Sequence, residues 1–114
     1  MKTPRIALFA LSLVAGCMSP YYNALLALQG PRSVAILQPL TPADLGNQAF
    51  PYMTARELSV GSVPCLAVRV TYVGELGWEL YVPADHALHV YDRIVAAGAE
   101  FGLVHAGFHA LNAC

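Results

Sequence analysis

Charge is scarce in this sequence. Only 11% of its 114 residues are Asp, Glu, Lys or Arg, and six basic residues stand against seven acidic ones for a net charge of −1. With no basic excess to neutralise a run of phosphates, nucleic acid is excluded as an expected partner. Cysteine is scarce as well. Cys17, Cys65 and Cys114 lie far apart, with no C-x-x-C spacing. They form neither a disulfide framework nor a metal-ligand set, and Cys65 and Cys114 read as simple thiols. No apolar run approaches the roughly 20 residues of a membrane-spanning helix. A nucleophile elbow, a P-loop and a dinucleotide fingerprint are all absent, so no catalytic residue and no metal ligand is assigned from motifs.

What is present in excess is apolar surface: 57% of residues, against a usual share of about 45–50%. Two sources are open, a removable N-terminal segment or surface meant to face further protein. Lys2 and Arg5 precede the short apolar run Ile6 to Val14, which leads into Val14-Ala15-Gly16-Cys17. This looks like a bacterial lipoprotein signal, with Cys17 as the lipid acceptor. The other reading is an ordinary buried segment behind a start Met. Residues 1–18 are therefore set apart as a signal-like segment, and 19–114 are expected to form one modest domain.

From Ala24 the pattern is α+β, an antiparallel meander with flanking helices. Ala24 to Gln29 is a continuous apolar run and reads as a buried strand. Gly30-Pro31 is a turn, and a helix is expected over Ser33 to Leu37, stopped by Pro39. Thr41-Pro42 resembles the start of a second short helix over Ala43 to Leu45. Thr54 to Val60 and Val63 to Tyr72 read as strands joined by a Gly61-Ser62 hairpin turn. Gly74 and Gly77 bound the next hairpin, and Trp78 to Val82 returns, with Trp78, Leu80 and Val82 on one face and Glu79 and Tyr81 on the other. Pro83 opens a helix reaching Ala97, with Leu88, Tyr91, Ile94 and Val95 on its apolar side and Gly98 as its C-cap. Ala106 to Leu111 reads as the start of a further helix. The chain stops inside it, which points to an interrupted domain.

Two groups of side chains invite a chemical reading. His86 and His89, and His105 and His109, form pairs at helical spacing, but without acidic or Cys partners they read as surface histidines. Glu79 is more informative. It either lies on the solvent face, paired across the sheet with Arg69, or receives a flat ligand whose adjacent N–H donors a carboxylate takes in parallel. Tyr72 would then add a stacking or hydroxyl contact.

Several linked motifs bear on that choice. Leu28-Gln29-Gly30-Pro31-Arg32-Ser33 resembles the LxGPxS element of the folate-binding aminomethyltransferases, a family that includes the glycine cleavage T-protein and the C-terminal halves of dimethylglycine and sarcosine dehydrogenases. The run Leu45 to Glu57 looks like the dehydrogenase branch. Tyr72-Val73-Gly74-Glu75-Leu76-Gly77-Trp78-Glu79 matches the YxGExGxE element, and Ala97 to Val104 continues the likeness. The resemblance covers about Tyr21 to Leu111. It implies a partial aminomethyltransferase domain with tetrahydrofolate as cofactor, contacted by Tyr72 and Glu79, while Glu75 keeps a structural role. FAD is implied only in a domain that this chain does not contain, so a flavin-dependent dehydrogenase domain or subunit is an implied partner. The resemblance also implies a cytoplasmic location; lipidation of Cys17 would instead give a membrane-anchored lipoprotein. The family's catalytic aspartate lies upstream of LxGPxS, where no residue here matches it. Near the C-terminus His109 and Asn112 replace the family's usual Arg and Asp. The expectation is a folate-binding portion that is not catalytic alone. The alternatives are a non-catalytic interaction module or an interrupted reading frame.

Overall fold

The computed structural model describes residues 7–11 (backbone only), 21–22, 24–70 and 77–105. Strands β1 (Ala7–Leu11), β2 (Ala24–Gln29), β3 (Ala55–Val60), β4 (Val63–Val68), β5 (Gly77–Val82) and β6 (Val104–His105) form one sheet, with helices α1 (Ser33–Leu37) and α2 (Ala87–Gly98). Among the described residues the sheet is six-stranded, in the order β3-β4-β5-β2-β1-β6. Each neighbouring pair is antiparallel except β1 with β6, which is parallel. The fold is thus α+β, with β3-β4-β5 as the expected meander. The apolar run of β2 is explained by its position, since it is hydrogen-bonded on both edges, by β5 and by β1. The run around Ile6 to Val14 contributes β1 to the sheet.

Strand period sets the core. Trp78, Leu80 and Val82 of β5 are buried together with Leu26 and Leu28 of β2 and Cys65 and Ala67 of β4. Both helices cover this face: Ile36 and Leu37 of α1 and Val90 and Ile94 of α2 join the same cluster. Phe50 is driven in from the long 41–54 connection and meets the Trp78 ring edge-on at 4.8 Å. The Arg69 guanidinium lies 5.4 Å from the Trp78 ring centre, donating to the Phe50 carbonyl at 2.7 Å, and Arg56 lies 5.4 Å over Phe50. The aromatic pair is thus closed at both ends by a cation.

The Gly61-Ser62 turn forms as expected, with φ of +56° and +70°, the left-handed pair that matches the twist of a two-residue hairpin. Three expectations are corrected. Residues Ala43 to Leu45 form no helix. The Gln38 side chain donates to the Ala43 carbonyl at 2.6 Å and accepts from the Leu45 N–H at 3.1 Å, and Thr41 Oγ1 accepts from the Ala43 N–H. These side-chain bonds replace the helical ladder and turn Leu45 into the core. Helix α1 has the expected bounds and passes into a 3₁₀ turn, Gln38–Leu40, which accommodates Pro39. In α2, Ile94 is buried and Tyr91 and Val95 pack against the core as expected, but Leu88 is 70% exposed and Val90 and Gly98 complete the buried side in its place. Gly98 is also not the cap. The cap is Gly102 at φ +74°, with Leu103 N–H bonded to the Gly98 carbonyl and Gly102 N–H to Ala99, the Schellman pattern. Gly98 is needed for close approach instead, since a Cβ there would stand 2.8 Å from the Leu103 side chain.

Candidate functional site

The helices and the 41–54 connection all lie on the Trp78 side of the sheet, which leaves the opposite face to be read. Antiparallel register puts Ala27 and Val68 directly beside Glu79, and Leu25 and Leu66 beside Tyr81. Directly opposed residues share a face, so these side chains form one floor: apolar, half-buried and carrying a carboxylate. Glu79 projects from a central strand between two apolar neighbours. Of the two readings of Glu79, pairing with Arg69 does not occur. Arg69 lies on the other face with Phe50 and Trp78, and Val68 occupies the position across from Glu79.

What holds Glu79 instead is Tyr81, two residues on and therefore on the same face, whose hydroxyl donates to Glu79 Oε2 at 3.2 Å. Burial pushes the Tyr81 phenol up from its ordinary value of 10.0, and the Glu79 charge and this hydrogen bond push it further. Tyr81 is therefore a protonated donor throughout the neutral range. It uses one of the carboxylate's acceptor positions and leaves capacity for two parallel N–H donors from a planar ligand.

Beside Glu79 lies a residue that motif reading passed over. Gln29 pairs with Gly77 and so falls on the Glu79 face. It is 2% exposed, and among the described residues neither its Oε1 nor its Nε2 has a hydrogen-bond partner. Its carboxamide rests on Gly77: a Cβ there would stand 2.6 Å from Gln29 Cδ and 2.8 Å from Nε2. The clue available in the sequence was a Gln closing an otherwise apolar strand. Its meaning depends on the register with Gly77, which no local pattern gives.

Tyr72 and Glu75 lie outside the described residues, as do Cys17, Cys114, His109 and the expected helix from Ala106. Of the histidines, His86, His89 and His105 are exposed. His89 Nε2 lies 3.0 Å from the Gly61 carbonyl oxygen, and His105 Nε2 lies 2.5 Å from the Tyr91 hydroxyl. They serve local contacts in separate places. Cys65 is buried, with its thiol 3.3 Å from the Val63 carbonyl and pushed up from 9.0 to about 11 by burial.

Comparison with known proteins agrees with this architecture. The profile of the family described as the GCVT N-terminal domain matches residues 19–114. Human mitochondrial sarcosine dehydrogenase is 44% identical over 88 residues, 77% of this chain and 10% of that protein. An aminomethyltransferase of Caldanaerobacter subterraneus is 41% identical over 85 residues, 75% of this chain and 22% of that protein. The chain thus spans about a tenth to a fifth of the length of these relatives. Among solved structures, the heterotetrameric sarcosine oxidase of Corynebacterium sp. U-96, in complex with pyrrole 2-carboxylate, superposes with a TM-score of 0.63 at 28% identity, over 73% of this chain and 41% of that one. The shared family profile, the relatives and the common fold give one conclusion: the chain belongs to the GCVT N-terminal domain family.

Proposed function

We propose that this chain binds tetrahydrofolate on the Glu79 face of its sheet, as the folate-binding portion of an aminomethyltransferase-like or sarcosine/dimethylglycine dehydrogenase-like protein. The single observation that carries the reading is Glu79, a carboxylate on an apolar strand face that, among the described residues, accepts a side-chain hydrogen bond from Tyr81 alone. The pterin of folate offers a flat ring for the Leu66, Val68 and Ala27 floor and an N–H edge for Glu79. A hydrogen bond to a charged acceptor of this kind contributes about 1.5–3 kcal/mol. Tyr72, seven residues before Glu79 in the YxGExGxE element, supplies a second contact.

Binding without turnover is the expected behaviour of the chain alone. No residue of this sequence matches the family's upstream aspartate, and acid–base transfer needs a positioned group. The one-carbon donor and any flavin chemistry belong to a dehydrogenase domain or subunit that acts with this one.

Amide chemical-shift mapping tests the reading. Titrating the chain with 5-formyltetrahydrofolate is expected to shift the amides of Ala27, Val68, Glu79 and Tyr81, with Ile36 and Ile94 unmoved. Shifts confined to the helices, or none at saturating ligand, contradict it.

A further inference from the structure

We propose that Gln29 is a second recognition residue for the same heterocycle, its carboxamide meeting the lactam edge next to the N–H edge taken by Glu79. The inference rests on the folate reading above and deepens it.

Position comes first. Gln29 and Glu79 lie on one face of adjacent strands, through the pairs Gln29 with Gly77 and Ala27 with Glu79. The carboxamide lies over Gly77, two residues from Glu79 along β5, or about 7 Å at the usual rise per residue. Side chains as long as Gln and Glu can converge from that backbone separation on neighbouring groups of one ring edge.

Energetics come second. A buried primary amide with neither end satisfied is costly, and buried polar groups in folded proteins are almost always paired. Gln29 is nonetheless buried and, among the described residues, unpaired at both ends. Gly77 leaves the room in which the amide sits, because any larger residue would collide with it. An apolar residue of the same size would fill the space without that cost, so packing alone does not account for a glutamine here.

Chemistry comes third. A carboxylate only accepts, whereas a carboxamide both donates and accepts. Side by side they complement a ring edge that carries donors followed by a carbonyl, the pattern of a 2-amino-4-oxo-pteridine. Glu79 takes the donors, and the Gln29 N–H meets the 4-oxo oxygen. The amide is closed to water, so entry of the ring requires that it be uncovered.

The test is equilibrium binding of 5-formyltetrahydrofolate and of its 4-amino counterpart to the full chain, with thermal unfolding in parallel. Gln29→Met is expected to weaken the 4-oxo ligand about tenfold, the equivalent of about 1.4 kcal/mol, without lowering the melting temperature. Gln29→Glu is expected to shift preference toward the 4-amino ligand by about tenfold or more, since a carboxylate repels an oxo group and accepts from an amino group. A role limited to packing would move both ligands alike. Unchanged 4-oxo affinity in Gln29→Met, alongside loss in Glu79→Ala, overturns the Gln29 proposal and leaves the folate reading standing. Wild-type chain that is folded and binds neither ligand overturns both. If Gln29→Glu does not fold, the Gln29→Met comparison of affinity against melting temperature decides alone.

Discussion

The Tyr81 hydroxyl donates to Glu79 Oε2 at 3.2 Å, along one face of the same strand. The contact orients the carboxylate before any ligand arrives. A preorganised acceptor of this kind lowers the ordering cost of binding.

A pH prediction follows from that contact. Burial first, and then the Glu79 charge, raise the Tyr81 phenol above its ordinary 10.0. The folded value lies above the unfolded one, so the stabilisation is fully present below pH 10 and is lost as pH rises through the folded value. Glu79→Gln is expected to move Tyr81 ionisation to lower pH while leaving it above the ordinary value, since burial remains. An ultraviolet or NMR titration reads this directly. An unchanged midpoint would remove Glu79 as a cause.

Phe50 tests how the long connection is held. It is fully buried and packs edge-on against Trp78. Phe50→Ala is expected to cost about 3–5 kcal/mol, a large part of the roughly 5–15 kcal/mol that holds a small domain together. Phe50→Leu should cost less. Denaturant unfolding followed by Trp78 fluorescence measures both, and a cost below about 1 kcal/mol for Phe50→Ala would contradict the packing described.

Cys65 should be inert in the native protein. Its thiol is buried and pushed up to about 11, and the reactive species is the thiolate. Alkylation at pH 8 followed by peptide mapping is expected to leave Cys65 unmodified until the chain is unfolded. Because its folded value exceeds the ordinary 9.0, its contribution to stability is complete below pH 9 and falls away as pH climbs toward 11. Rapid native labelling would refute the assigned burial.

Particular residues show what was legible in advance. Period two gave the faces of β5 correctly, because Trp78, Leu80 and Val82 are large and apolar while Glu79 and Tyr81 are not. The Gly61-Ser62 hairpin was equally readable, since its residue types fit left-handed backbone. The apolar side of α2 was legible in Tyr91, Ile94 and Val95, but not in Leu88, which lies outward while Val90 is buried. Gly98 misled as well: a glycine near a helix end signals a cap or a close approach, and only the neighbouring Leu103 distinguishes them. At the site, Glu79 stood out as an isolated charge in an apolar strand. Its alignment by Tyr81 was a matter of neighbouring positions, but Gln29 depended on cross-strand register and stayed hidden.

The most direct test of the central claim is calorimetry of the 114-residue chain with 5-formyltetrahydrofolate, comparing wild type with Glu79→Ala. Wild type is expected to show saturable heat at one site. Glu79→Ala should weaken binding by about tenfold to a hundredfold, the equivalent of about 1.5–3 kcal/mol for a charged hydrogen-bonding partner, with no change in fold by circular dichroism. Equal heats and affinities for both proteins would remove Glu79 from the site and contradict the account.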